Sequence, residues 1–447
     1  MKGKISVQRT LPLLLAVALL LGISATYEGR RVIAVSASGA GVTGNGDSFQ
    51  SSMTADGRQV AFRSIASDLV PGITNDMRDI FIKDVETGDI SRISVSPEGA
   101  EANAPSEDPD ISADGRFVVF VTAATNLAPG TSGAVTNIVM KDRADGSVTL
   151  VSADAAGIEG NGNSDRPAIS ADGRYVAFNT EASNLAPDDT NGLLDVYVKD
   201  TQTGAVTRAS VSPEGQQGNG ISGVRYGPVI SADGTQVAFS SAATNLHPGD
   251  ADDIYDVLVK NMETGEVRLA SVTEDGVKGN GHSVKVDISA DGDQVVFRSV
   301  ATNLDPADTD ETSDAYHKDL ITGKLTLASS NADGVKGNEP AWDPSISPDG
   351  KKVAFTTKAT NLVAGAIPVL NIYMKHIPTG AVILVTAGSD GAPGNGDSAN
   401  PSMNPAGSRV IMETQATNLI PREPDGLFNI YMVILEATEQ PPVSCFW

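Results

Sequence analysis

Pro167-Ala168-Ile169-Ser170-Ala171-Asp172-Gly173-Arg174-Tyr175-Val176-Ala177-Phe178-Asn179-Thr180 is the stretch on which the fold turns. Two short apolar runs flank Asp172-Gly173. Side chains alternate along the second run, with Val176 and Phe178 on one face and Ala177 on the other. Asp-Gly between such runs signals a two-residue hairpin, because both residues tolerate φ > 0. Ser183-Asn184-Leu185-Ala186-Pro187 then opens an acidic loop, and Asp195 to Asp200 reads as a third strand. Thr203-Gly204 turns the chain into a fourth strand, Val206 to Ser212, and Gly218-Asn219-Gly220 leads onward. One unit is thus four short antiparallel strands, A to D in chain order.

The unit recurs. Asp172 has counterparts at Asp56, Asp114, Asp233, Asp291, Asp349 and, in the last copy, Ala406, at spacings of 58, 58, 61, 58, 58 and 57. The longer interval holds an insertion around Val224–Gly227. A single four-stranded meander cannot bury both of its faces, whereas seven packed around an axis can. The pattern predicts an all-β chain, a seven-bladed β-propeller of four-stranded antiparallel blades. Strand A, rich in Ser and Ala, belongs at the crowded centre. Val32 to Ser38 matches a D strand, and the last copy stops after its C strand, Asn429 to Ile434. The N-terminal segment is therefore expected to complete the last blade and remove two exposed strand edges.

The phrases Ile-Ser-Ala-Asp-Gly-Arg-Tyr-Val-Ala-Phe, Thr-Asn-Leu and Asp-Val-Tyr-Val-Lys-Asp resemble the TolB-like propeller repeat, a relative of WD repeats, over residues 31–435. The resemblance implies a propeller, export, and protein or ligand binding. It departs from TolB itself, which has six blades and an additional N-terminal α/β domain.

Composition fits an exported binder. Glycine numbers 45, aromatics make up 5% and the formal net charge is −24. So acidic a chain should repel nucleic acid and anionic membrane surfaces. Lys2, Lys4 and Arg9 precede an apolar run from Leu11 to Ile23, followed by small residues and Ala25. This is the pattern of a signal peptide over 1–25, too short to span a bilayer. The propeller is expected over 26–437 and a tail over 438–447, in a secreted, periplasmic or cell-surface protein that acts as a monomer. Cys445 is the single cysteine, so no intramolecular disulfide forms.

Two groups of residues are candidates for function. Just before each strand A the residues stop repeating, and Phe49, Glu107, Arg166, Tyr226, Lys285, Trp342 and Asp343 fall there. A structural requirement should recur seven times, so these are expected to line the mouth of the central channel. The aromatics suit a sugar ring or a peptide, and the cations suit an anion. The other group is the acidic loops between strands B and C: Asp188, Asp189, Asp250, Asp252, Asp308, Asp310 and Glu311. Oxygen-rich clusters of this kind suit Ca²⁺. Asp79, Asp195, Asp256 and Asp314 begin C strands and recur, which points to a structural bond. No Gly-x-Ser-x-Gly, His-Glu-x-x-His or phosphate loop occurs. The chain is expected to be a non-enzymatic binding module for a protein or glycan. The alternative is a glycan hydrolase or lyase using channel carboxylates such as Glu107, Asp108, Asp165 and Asp343.

Overall fold

A computed structural model describes residues 29–420 and 426–436. The segment read as a signal peptide and the tail from 437 lie outside the described residues. Seven four-stranded antiparallel sheets are arranged as blades, and every one of them runs A, B, C, D from first strand to last. In the third blade the strands are Ser164–Ile169, Tyr175–Thr180, Asp195–Asp200 and Val206–Arg208. Strands B and C carry the core, with the stacked pair Phe178 and Tyr197 fully buried between blades.

The last blade is closed as the sequence requires. Its order is Gly29–Ala34, Asn429–Glu436, Arg409–Thr414, Ser398–Met403. Val32 pairs with Val433 and Ala34 with Tyr431. Beyond the strand, the Ser36 hydroxyl donates to Asn429 Oδ1 at 3.0 Å. The other blades make the same bond within themselves: Ser94 to Asp79 at 2.5 Å, Ser210 to Asp195 at 2.5 Å, Ser271 to Asp256 at 2.6 Å.

The Asp-Gly hairpin is longer than a two-residue turn. Residues 170–174 separate strands A and B, and only Gly173 has a positive φ, at 75°. Asp172 stays on the ordinary side because its Oδ1 accepts from Ser170 Oγ at 2.8 Å and from the Arg174 N–H at 2.9 Å, a local turn built by the side chain. A Cβ on Gly173 would stand 2.2 Å from Phe117 Cδ2 of the preceding blade, so the glycine also permits close approach.

The alanine of Ser-Ala-Asp-Gly links blades. Ala55 N–H donates to Ala113 O, Ala113 to Ala171, Ala171 to Ala232, Ala232 to Ala290 and Ala290 to Pro348 O, at 2.9 to 3.1 Å. Pro348 and Pro405 occupy this position in the last two copies and have no N–H to give. The chain of bonds therefore stops at the seam where the ring closes. At the opposite end, loops D–A and B–C are clasped reciprocally: the Asn161 N–H donates to Asn184 Oδ1 and the Ser183 N–H to Asn161 Oδ1. That clasp explains the recurrence of Gly-Asn-Gly and Thr-Asn-Leu.

Candidate functional site

Six of the seven inner strands are interrupted by a bulge. The register shifts between Phe49 and Ser52, Glu107 and Asp110, Asp165 and Ala168, Val284 and Asp287, Trp342 and Ser345, Ala399 and Ser402. Within each bulge one non-glycine residue has a left-handed backbone: Gln50, Asp108, Arg166, Lys285, Asp343 and Asn400, with φ between 48° and 53°. Such a backbone costs energy for a residue with a Cβ, and here it re-aims a side chain toward the axis. In the fourth blade the insertion changes the pattern. Gly227 takes the left-handed position at φ 77°, Arg225 is left-handed as well at 69°, and strand A shrinks to Val229–Ile230. A Cβ on Gly227 would lie 2.3 Å from Arg166 Cβ, so only glycine fits beside that arginine.

These side chains surround a cavity of about 650 Å³. Of the sequence candidates, Phe49, Arg166, Tyr226, Lys285 and Asp343 line it. Glu107 sits beside it, ion-paired with Arg63 at 3.4 Å and with Arg78. Trp342 is half-buried and is not among the lining residues. Asp108 lines the cavity, whereas Asp165 does not and is held by Asn179 at 3.0 Å.

The wall divides into a bonded arc and an open one. Gln50 and Asp108 exchange hydrogen bonds, and Arg166 Nη1 donates to Asp108 Oδ1 at 3.1 Å. Burial pushes the Asp108 carboxyl up, against the pull of Arg166. Glu413, buried, accepts from the Gln50 N–H at 2.7 Å and from the Asn400 amide at 2.9 Å. Its carboxyl is raised by burial, with nearby Asp343 adding to the shift. The open arc belongs to the fourth, fifth and sixth blades. Arg225 and Lys285, which line the cavity, and Arg298, which is not among the lining residues, lie 6.0, 5.4 and 5.4 Å from the Tyr226 ring centre. Among the described residues, none of these cations makes an ion pair, and the Asp343 carboxylate is bonded to nothing. Further into the channel, Asp110 accepts from Ser52 at 2.5 Å and from the Ile169 N–H at 2.9 Å, and Asp287 from Ser345 and the Ile346 N–H, both at 2.9 Å. These two carboxylates staple neighbouring blades.

Glu413, Arg63 and Arg298 are absent from the sequence candidates. All three stand at one position of strand B, which reads Arg63, Val121, Asn179, Ser240, Arg298, Thr356, Glu413 through the seven copies. That column fails to repeat as clearly as the bulge does, so the same criterion applied to strand B finds them.

The acidic loops assemble two triads. Asp250, Asp252 and Asp256 bring carboxylate oxygens within 4.8 Å of one another, as do Asp308, Asp310 and Asp314. Such groups could hold a metal ion. In each, a lysine ammonium stands among the carboxylates: Lys278 is 3.3 Å from Asp250 and 2.8 Å from Asp256 and also pairs with Asp252. Lys336 is 2.9 Å from both Asp308 and Asp314 and pairs with Asp310. Burial raises Asp256 and Asp314, each to about 6 despite their lysine partners. Among the described residues, Asp188 and Asp189 belong to no such triad. Asp188 pairs with Arg208 at 2.9 Å and Asp189 accepts from Tyr197 at 2.7 Å. Glu311 belongs to neither triad. The His247 and His282 rings each accept a backbone N–H, from Gly249 at 3.0 Å and Tyr255 at 2.9 Å.

No protein-family model and no curated protein matches the sequence. Solved structures do. An oligogalacturonate lyase in complex with manganese is 14% identical, with 87% of this chain and 88% of that one aligned at a TM-score of 0.53. The β-propeller domain of the Trilobed protease from Pyrococcus furiosus is 14% identical over 89% of this chain and 99% of its own, at 0.52. TolB from Acinetobacter baumannii is 16% identical over 86% of this chain and 82% of its own, at 0.39, too remote a likeness to argue from. The first two show the same kind of fold in proteins of different activities.

Proposed function

We propose that this protein is an exported, non-enzymatic binding module of the TolB-like type, secreted or periplasmic, whose ligand enters the channel mouth at the bulged ends of the inner strands. One observation carries the reading. The bulge recurs in six of the seven blades while the side chains that it turns inward do not, so backbone strain is spent repeatedly to present a set of side chains specific to this chain. Rigid frames holding variable inward groups are how propellers and barrels bind.

A glycan array probed with the wild type and with the Lys285→Gly/Asp343→Gly variant tests it. Glycine is the residue best suited to both backbones, so the fold should persist. Hits that vanish in the variant support the mouth; hits unchanged by it would place recognition elsewhere.

A second reading rests on Glu413. A buried carboxyl with a raised pKa near the unbonded Asp343 is the kind of pair that protonates a leaving group. Incubating any glycan hit with the protein separates the two readings. New reducing or unsaturated ends that disappear in Glu413→Gln would make the protein an enzyme; an intact glycan leaves it a binder.

A further inference from the structure

We propose that the ligand is an acidic saccharide, with a sugar ring against Tyr226 and its carboxylate or sulfate among Arg225, Lys285 and Arg298. This rests on the channel mouth being the binding site. The formal net charge is −24, and of the four cations that line the cavity two already have acidic partners: Arg166 with Asp108 at 3.1 Å and Arg63 with Glu107 at 3.4 Å. Arg225, Lys285 and Arg298 stand apart from that rule. They come from two blades, converge on one ring at 5.4 to 6.0 Å, and pair with no carboxylate among the described residues. Three like charges around one aromatic repel one another until an anion arrives.

The local construction favours a ligand over a packing role. Tyr226 is half-exposed and lies in the insertion that only the fourth copy has. A residue needed for blade packing would recur. The insertion shortens strand A to Val229–Ile230, so stability is given up where the ring is presented. Gly227, without a side chain, leaves the space beside Tyr226 to Arg166 and the cavity.

The remaining wall favours a sugar over an apolar ring. Pro109, Pro167, Pro228, Pro344 and Pro401 give shallow apolar patches, while Gln50, Asp343 and Asn400 offer acceptors and donors. Asp343, bonded to nothing, suits a hydroxyl donor. A volume of about 650 Å³ lies within the range of small-ligand pockets, about 300–1,000 Å³.

The test is calorimetric titration with four probes: a glucuronate-containing trisaccharide, its methyl ester, a sulfated neutral trisaccharide and the unsulfated parent. Wild type, Tyr226→Ala, Lys285→Gln and Arg58→Gln are compared, the last being outside the cavity. The acidic forms should bind at least about tenfold more tightly than the ester and the parent, and less tightly as salt rises. Lys285→Gln should weaken acidic binding about tenfold, Tyr226→Ala should weaken it too, and Arg58→Gln should leave it unchanged. The uronate and sulfate arms decide which anion is preferred. Equal binding of ester and acid, lost in Lys285→Gly/Asp343→Gly, would overturn the acidic class while keeping the mouth as the site. Acidic binding indifferent to both Tyr226→Ala and Lys285→Gln would overturn the inference and the site together. Silence from all four probes would overturn the acidic-saccharide assignment. Should Tyr226→Ala fail to fold, Lys285→Gln, a half-exposed position, carries the test.

Discussion

Asp314 shows how one residue sets chemistry for a blade. In three of the four blades whose strand C begins with aspartate, a cation meets its second oxygen: Arg92 at 3.4 Å from Asp79, Lys278 at 2.8 Å from Asp256, Lys336 at 2.9 Å from Asp314; at Asp195 the Asn191 amide donates to it at 2.9 Å. Burial raises the Asp195 carboxyl, with the Ser210 and Asn191 hydrogen bonds and, more weakly, the charge of Arg208 pulling against it. Where it begins with Asn137, Asn371 or Asn429, the serine or threonine bond is kept, and among the described residues no ion pair forms there. Charge and counter-charge thus come and go together, because an unpaired buried charge is costly. Asp314 is fully buried and raised to about 6 from an ordinary 3.8. Its folded pKa exceeds the unfolded one, so its contribution is full below pH 3.8 and is lost as pH rises through 6. Asp314→Asn removes that loss. Relative to wild type, the variant should gain about 2 kcal/mol in unfolding free energy between pH 4 and pH 7. Urea unfolding at the two pH values checks it, and a flat difference would refute the assignment. Lys336→Met leaves three carboxylates without their cation and should cost about 3 kcal/mol at neutral pH. Millimolar Ca²⁺ should then raise the melting temperature of Lys336→Met more than that of the wild type, whose ammonium competes for the same oxygens. An equal rise in both would mean that the lysine does not guard the triad.

Strand A joins two demands within six residues. Its far half packs between blades, as Ile169 does in the third copy, and its near half must face solvent at the axis. The bulge separates them. Left-handed backbone is tolerable for Lys, Asp, Asn, Gln and Arg, and poor for a β-branched residue. Lys285→Val should therefore lose on the order of 1 kcal/mol beyond whatever Lys285→Gly costs, although valine suits ordinary strands. Guanidinium denaturation of both variants measures this. If Val proves as stable as Gly, the bulge is relaxed rather than strained. Strand C shows a second device. Lys83 donates to Ala37 O and Ser38 O, both at 3.0 Å, and to Gly88 O at 2.7 Å, tying the preceding connection to its own C–D turn. Lys141, Lys199, Lys260, Lys318 and Lys375 also reach carbonyls of the preceding D–A connection. The last blade has Val433 here, opposite Val32, because its fourth strand arrives from the N-terminus and no C–D turn exists to be tied.

At the scale of the ring, stability is unevenly distributed. Five backbone bonds link consecutive A–B turns, and they stop at Pro348 and Pro405. The last blade is also the one built from both ends of the chain. It should open first. Amides of Arg409–Thr414 and Asn429–Ile434 are expected to exchange faster with deuterium than those of Tyr175–Thr180 and Asp195–Asp200, as the least-bonded unit opens sub-globally. Uniform protection across the seven blades would rule out a weak seam. Removing residues 29–34 should lower the melting temperature sharply and expose the edge of Asn429–Glu436 to pairing between copies, visible as concentration-dependent oligomers in size-exclusion chromatography.

The sequence by itself determined the number of blades, the four strands of each and the way the ring closes. These follow from patterns within about 58 residues, repeated in phase, and from a D-like segment at one end where the other end lacks one. It also marked Phe49, Arg166, Tyr226, Lys285 and Asp343, because a position that escapes a sevenfold repeat is freed from packing. Tertiary structure alone decided which of them meet. Trp342 and Glu107 occupy the same column as Tyr226, yet they do not line the cavity, since the insertion and the bulge set each side chain's direction locally. Glu413 joins Gln50 across 363 residues because closing the ring sets the last blade beside the first. Lys278 and Lys336 reach the acidic loops from connections about one strand-pair later in the chain, a proximity fixed by how the D–A connection crosses the blade edge. Contacts of that kind depend on the curvature of the whole ring, which no local pattern in the chain encodes.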